Sequence, residues 1–227
     1  MKSRNLPTEI QRLSDVLNGP LLPGWRAQSL ACPPGRPKDV VERIRDAKEA
    51  GVICLLCRDK SFWSVVLMVR TNDNTAHSGQ LAFPGGAAES RDGGNLKATA
   101  KREFEEEMGV VIKEDQILGA LTSLYIPPSH FYVQPFVAWM DGLPEFELQQ
   151  EEVADVLLIS LRDLPAPGVK WSNQVIHAVN GKLHVPGWSI GEHVLWGATA
   201  MMMAELLEAC EAAGFGLSFA RSKTGEQ

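Results

Sequence analysis

Positive charge is scarce in this 227-residue chain: 22 lysines and arginines face 28 acids, and the formal net charge is −6. Gripping a nucleic-acid backbone needs a basic face, so general nucleic-acid binding is excluded. No apolar run approaches the roughly eighteen residues of a membrane span, and Met1 to Asn18 lacks the apolar centre of a signal peptide. Four cysteines are too few for a disulfide framework. Two of them, Cys54 and Cys57, form a C-x-x-C, but the run 51–58 reads as a strand, in which residues three apart face opposite sides. They are therefore read as structural, and the cytoplasm is the expected compartment. No repeat at a fixed period is visible, and only 221–227 has the composition of a disordered tail.

With 44% hydrophobic residues the chain can bury a substantial core. The expected organisation is an N-terminal helical extension over 1–50, a central domain over 51–215 and a tail over 216–227. Helices are expected at Leu6–Leu17, Lys38–Glu49, Leu96–Met108 and Leu195–Ala212. Strands are expected at Val52–Arg58, Phe62–Thr71, Gln116–Tyr125, Phe131–Met140 and Val153–Ile159, with a further hairpin at Trp171–Val185 turning at Asn180-Gly181. A Gly/Pro-rich loop containing HSGQLAFPGG fills 72–94, Asn95 is suited to N-cap the third helix, and Gly109 to stop it. Irregularly alternating strands and helices predict an α/β fold, a mixed β-sheet sandwiched between α-helices. The successive Met201, Met202 and Met203 read as core or interface, which leaves a homodimer among the open assemblies.

The chemistry is concentrated in Arg102-EFEEEMG-Val110. On a helix Glu103, Glu106 and Glu107 fall within about 100° of one another. Like charges at these spacings destabilise a helix, and near its C-terminus the dipole disfavours anions as well. A solvated acidic face is the bland explanation. The Phe-Pro-Gly-Gly turn ahead of the helix favours a cation site instead, and Arg102 can pair with Glu106 at i+4 to hold one carboxylate and leave the others for metal. Hard carboxylate oxygens suit Mg²⁺ or Mn²⁺. An acidic protein that handles a polyphosphate needs such a cation to offset charge repulsion.

These residues resemble the Nudix family box, G-x5-E-x7-R-E-U-x-E-E-x-G-U, where U is bulky and apolar. Arg102 through Val110 fits its second half completely. In the first half Gly86 is followed six residues later by Asp92, a carboxylate but not Glu, with Glu89 as its rival; nine residues separate Asp92 from Arg102, and the two extra ones are expected in the Gly93-Gly94 loop. The resemblance implies Glu103 and Glu107 as principal metal ligands, with Glu106 assisting or pinned by Arg102. It also implies a water-deprotonating carboxylate from a later loop. Gln149-QEEV-Ala154 is the candidate segment, with Glu152 preferred over Glu151 because it directly precedes a strand.

A second resemblance is to coenzyme A diphosphatases within that family, whose signature is L-L-T-x-R-S-x3-R-x3-G-x3-F-P-G-G. Leu67, Arg70, Gly79, Phe83, Pro84, Gly85 and Gly86 match in register, and His77, Gln80 and Ala82 fit the usual HxGQxAFPGG. Pro128–Val137 and Val194-LWGATA-Met201 resemble later segments of the subgroup, so the likeness runs from about 52 to 206. The chain departs at Val66, Met68, Thr71 and, in place of the second arginine, Thr75. The resemblance implies a nucleotide-type small-molecule substrate, met by Arg70, His77, Gln80, Phe83, Gly85 and Gly86. His77 is equally readable as a loop anchor. Coenzyme A carries a 3′-phosphate that wants a cation: Arg70 is the first candidate, with Arg91 and Lys97 behind it. ADP-ribose or a dinucleoside polyphosphate is the alternative substrate, and a catalytically silent nucleotide-binding module the alternative of another class.

Overall fold

The computed structural model describes residues 6–34, 44–59, 62–71, 79–178 and 181–217. Two short helices come first, α1 (Thr8–Leu17) and α2 (Gly24–Gln28). The long antiparallel pair β1 (Lys48–Asp59) and β2 (Phe62–Arg70) follows, then the short strands β3 (Leu81–Ala82) and β4 (Gly85–Ala87). Helix α3 spans Leu96–Met108. After it come β5 (Ile117–Ala120), β6 (Leu124–Ile126), β7 (Phe131–Met140) and β8 (Val153–Ser160). A hairpin, β9 (Ser172–Ala178) and β10 (Gly181–Ile190), leads through β11 (His193–Trp196) into α4 (Gly197–Ala212).

The main sheet runs β3-β2-β1-β7-β5, with β4 added beside β1, β6 beside β7 and β8 beside β2. Among the described residues only β1 and β7 pair in parallel, from Lys48 opposite Phe131 to Cys57 opposite Met140; the other pairings of this sheet are antiparallel. A mixed sheet with helices on both faces is what the sequence predicts. Side chains alternate along β1 accordingly. Ile53, Leu55 and Cys57 join Phe104 and Met108 of α3, whereas Cys54 and Leu56 join α1 and α4 on the opposite face. The two cysteines of the C-x-x-C thus lie in different cores, and Met201, Met202 and Met203 are buried in the second.

Two expectations fail for reasons of pairing. The helical spacing of Lys38–Glu49 ends in strand, because Lys48 and Glu49 are recruited by the parallel ladder to β7; residues 38–43 lie outside the described residues. The stretch Gln116–Tyr125 is two strands rather than one. Across from its middle stands Pro135 of β7, which has no N–H to give a ladder.

One buried acid ties the N-terminal elements down. Glu205 of α4 is fully buried and accepts from Gly24 N at 3.0 Å, Gln28 Nε2 at 2.8 Å and Thr122 Oγ1 at 2.7 Å. These donors come from α2 and from the β5–β6 connection, so α2, α4 and the main sheet share one polar anchor.

Candidate active site

Helix α3 is delimited by its own termini. Asn95 Oδ1 accepts from Lys97 N (3.1 Å) and Ala98 N (3.3 Å), and Gly109 stops the helix at φ +67°. Two further bonds continue past the stop: Glu147 N and Gln149 N each donate, at 3.0 Å, to the carbonyls of Met108 and Glu107. The chain returning along the helix end therefore delivers residues 149–152 beside the acidic face of α3. There the peptides of Glu151 and Glu152 accept from Thr71 Oγ1 (2.9 Å) and Thr71 N (3.0 Å) at the end of β2.

Small residues let α3 lie close to the sheet. A Cβ on Gly51 would stand 2.3 Å from the Leu96 carbonyl oxygen. One on Gly86 would stand 2.5 Å from the Glu103 carboxylate. Gly85 donates its N–H to Glu107 Oε2 at 2.7 Å. Gly85 and Gly86, expected to face substrate, are engaged here with the carboxylates: one bonds Glu107 and the other makes room for Glu103.

The three carboxylates differ in setting. Glu107 is only 1% exposed. Burial is the main cause that lifts its pKa to about 8; the nearby Glu103 and Glu152 charges add to the rise, while the Gly85 N–H and the Arg70 charge oppose it. Glu103 is also shifted upward, first by burial and then by Glu106 and Glu152, against its bond to Arg102. Glu152 is exposed, and its charge bears on both of the others. A solvated acidic face does not describe this arrangement.

Arg102 differs from its expected role. Its link to Glu106 exists, at 3.0 Å, but its main partner is Asp92, gripped through Nε–Oδ1 at 2.9 Å and Nη2–Oδ2 at 3.0 Å. It also holds Glu103 Oε1 at 2.7 Å and the Ala87 carbonyl at 3.1 Å, so Glu103 is not left wholly free. Of Asp92 and Glu89, Asp92 is the buried partner of Arg102, whereas Glu89 pairs with Arg91 at 2.9 Å and lies 3.7 Å from Arg102. The Gly93-Gly94 loop does absorb the extra length, both residues taking positive φ. Glu106 is held between Arg102 and Arg91 (3.1 Å).

Among the expected substrate contacts, His77 lies outside the described residues. Phe83 is a correction: at 2% exposure it belongs to the core and offers no surface to a ligand. The Gln80 carbonyl accepts from Arg70 N at 3.0 Å. The charge of Arg70 bears on Glu107, and its Nε is buried with no hydrogen-bond partner among the described residues. The other two candidate cations are engaged, Arg91 with Glu89 and Glu106 and Lys97 with Glu114. Sequence reasoning missed Thr99, whose hydroxyl donates to Asp92 Oδ2 at 2.9 Å; its place seven residues after Asp92, across a glycine loop, gave no local signal.

Among the described residues no three His, Cys, Asp or Glu side chains are gathered closely enough to enclose a metal ion. The donor set still fits Mg²⁺ or Mn²⁺. Such hard ions commonly take one or two carboxylates and complete their shell with water and substrate phosphate. Glu103 and Glu107 repel one another in a largely buried setting and remain shifted upward despite Arg102, Arg70 and the Gly85 N–H, a setting a divalent cation would stabilise.

The profile of the NUDIX domain matches residues 47–179. The chain is similar to the peroxisomal coenzyme A diphosphatase ndx-8 of Caenorhabditis elegans, 33% identical over 124 residues, 54% of this chain and 53% of that protein. It thus spans about half the length of this relative. It is also similar to the uncharacterized Nudix hydrolase NudL of Photorhabdus laumondii, 29% identical over 197 residues, covering 86% of this chain and 96% of the relative. Among solved structures, a MutT/nudix family protein from Enterococcus faecalis matches in fold with a TM-score of 0.53 at 16% identity, over 79% of this chain and 70% of the other.

Proposed function

The chain belongs to the Nudix family, and from that premise we propose that it hydrolyses the phosphoanhydride bond of a nucleoside-diphosphate substrate, with coenzyme A or its thioesters as the preferred substrates, giving 3′,5′-ADP and 4′-phosphopantetheine, or acyl-4′-phosphopantetheine from a thioester. The observation that carries the reading is the packing of Glu103 and Glu107 against the Gly85-Gly86 turn, with the charges of Glu152 and Arg70 acting on Glu107. Acids that repel one another, near an arginine whose Nε has no hydrogen-bond partner among the described residues, suit a site that takes up a metal cation and a phosphate together.

In this reading Glu103 and Glu107 hold Mg²⁺ or Mn²⁺. When bound, the ion supplies charge neutralisation of the diphosphate and lowers the pKa of an attacking water. Glu152, exposed and facing both other carboxylates, takes the proton of that water on a carboxylate oxygen. Arg102 positions the set, holding Glu103 and Glu106 while anchored on Asp92. Arg70 binds the diphosphate rather than the 3′-phosphate, since its charge already acts on Glu107. That is a change from the expectation drawn from the signature alone.

The substrate choice draws support from the coenzyme A diphosphatase activity named for the C. elegans relative and from the matching signature residues between Leu67 and Gly86. The cytoplasm is kept as the compartment because all four cysteines are free thiols; no helix among the described residues is long and apolar enough to cross a membrane. The test is a side-by-side assay of coenzyme A, ADP-ribose and diadenosine polyphosphates with Mg²⁺ and with Mn²⁺, products identified by mass. Preference for coenzyme A with release of 3′,5′-ADP is the expected result. Preference for ADP-ribose or a dinucleoside polyphosphate overturns the substrate, and binding without turnover of any of them overturns the hydrolase reading in favour of a silent nucleotide-binding module.

A further inference from the structure

The segment 80–87 carries both glycines of the site, and it is held on two edges by backbone bonds. Arg70 N donates to the Gln80 carbonyl at 3.0 Å on the β2 side, and Ile53 N to the Pro84 carbonyl at 2.8 Å on the β1 side. In an antiparallel pair the hydrogen-bonded positions alternate. Because Arg70 and Gln80 are bonded, the next pair, Val69 opposite Leu81, is not. The Leu81 carbonyl therefore points away from β2, and Leu81 is only 4% exposed. A buried carbonyl in that position needs a donor from elsewhere.

Thr199 supplies it. Its hydroxyl donates to the Leu81 carbonyl at 3.0 Å, and Thr199 is itself 9% exposed. Gly197, at φ +63°, turns the chain out of β11 into α4 and sets Thr199 in the first turn of that helix. The helix is otherwise anchored through Glu205 to α2 and Thr122, with no bond to the carboxylates of α3. The Leu-Trp-Gly-Ala-Thr-Ala run thus links the far face of the sheet to the strand whose continuation meets Glu103 and Glu107.

We infer that Thr199 is a positioning residue of the site: by fixing the Leu81 peptide it sets where Arg70 and the Gly85-Gly86 turn stand relative to Glu103 and Glu107. Among the described residues its hydroxyl bonds the Leu81 carbonyl and no carboxylate. Its effect is carried by a two-residue strand: backbone bonds flank that strand at Gln80 and Pro84, and the Thr199 hydroxyl holds the Leu81 peptide between them. A shift of β3 would move the Gly85 N–H off Glu107 and displace the end of β2.

This inference rests on the proposed hydrolase reading for its kinetic test and stands apart from it in its structural one. Thr199→Val keeps the shape and loses the donor, and Thr199→Ser keeps the donor. The control is Thr122→Val, which removes a half-buried hydroxyl bond to Glu205 without touching β3. Well below the melting temperature, Thr199→Val should lower kcat by about fivefold or more, since small misplacements of reacting groups cost rate steeply, with KM changed less than kcat. Thr199→Ser should recover kcat, and Thr122→Val should lose stability without losing kcat. Hydrogen exchange supplies the second readout: Thr199→Val should speed exchange of the Gly85 and Arg70 amides and leave those of 54–57 alone. Wild-type kcat and exchange in Thr199→Val, failure of serine to rescue, or an equal kcat loss in Thr122→Val overturns the inference. If Thr199→Val does not fold, Thr199→Ser and Thr199→Cys take its place: the thiol is the weaker donor, and exchange at Gly85 must then rank cysteine above serine above wild type. Should the wild type hydrolyse no nucleotide, the proposed function fails and exchange alone decides the role of Thr199.

Discussion

Arg102 and Asp92 meet as a bidentate pair, with both guanidinium–carboxylate distances at or below 3.0 Å. The pair joins the mid-helix of α3 to the loop before it, across two glycines in the left-handed region. Asp92 also accepts from Glu89 N at 2.8 Å and from Thr99 Oγ1. These contacts, led by the Arg102 bond, drive its pKa well below the usual carboxylate range. One arginine therefore fixes the distance between the turn that carries Gly86 and the helix that carries Glu103, and its remaining N–H groups orient the acids of the helix.

Asp92→Asn should accordingly destabilise the fold at neutral pH by about 1–3 kcal/mol, the scale for a lost charged hydrogen-bond partner. The sign follows from a depressed pKa: the stabilisation is present above the unfolded-state value and is lost as pH falls below it towards the folded one. Urea denaturation of both proteins at pH 7 and near pH 3 measures this. The gap should narrow in acid; an equal midpoint at pH 7 would show that Asp92 anchors nothing.

Glu107 has the opposite sign. Its pKa is lifted from an ordinary 4.5 to about 8. A raised carboxyl favours the fold while protonated, below its unfolded value, and that advantage is lost as pH rises through the folded one. In the presence of EDTA, Glu107→Gln should match or trail wild type near pH 5 and melt above it near pH 8.5. Added Mg²⁺ should raise the wild-type melting temperature and leave Glu107→Gln nearly unmoved. Identical pH profiles for the two proteins would contradict the buried, metal-seeking carboxylate.

Kinetics separates the acids. Glu103→Gln should weaken Mn²⁺ binding, seen by titration calorimetry, and remove most activity. Glu152→Gln should leave Mn²⁺ affinity close to wild type while kcat falls by about 10²-fold. Glu151→Gln should be near neutral. If Glu151 rather than Glu152 carries the kcat effect, the proton acceptor has been placed one residue late.

Arg70→Ala should lower kcat/KM by roughly 10–150-fold, the equivalent of about 1.5–3 kcal/mol for a charge-assisted contact. Since Arg70 stands with Glu107, coenzyme A and dephospho-coenzyme A should suffer alike. A loss confined to coenzyme A would return Arg70 to the 3′-phosphate.

What was legible in the sequence is what short range controls. Asn95, Gly109 and the i,i+4 acids delimit α3 to the residue, and the termini of β7 are equally local. The missed features come from across the fold. The anchoring of Arg102 on Asp92 depends on a glycine loop that folds back, the break between β5 and β6 on a proline in a neighbouring strand, and the burial of Phe83 on a helix over a hundred residues later in the chain. Arg70 carries its signature position openly, but only the fold reveals that its charge acts on Glu107. The buried Glu205 carries no pattern at all: an acid inside an apolar helix is explained only by the neutral donors that the N-terminal elements bring to it.

The parallel pairing of β1 with β7 has a consequence for the order in which the molecule becomes itself. Parallel neighbours cannot be joined by a tight turn, so a long excursion of chain must close before that ladder forms. Here the excursion contains β2, β3, β4 and α3, which bear Arg70, the two glycines and the helical acids. Pairings so distant along the chain slow folding, and Glu152 lies later still. During synthesis the acidic helix therefore emerges before the strand that completes the sheet beneath it and before the loop that faces it. The repulsion among its carboxylates is at first softened by water and is felt in full only on closure, so a divalent cation held there would add its stabilisation at the final step of assembly rather than guide the first.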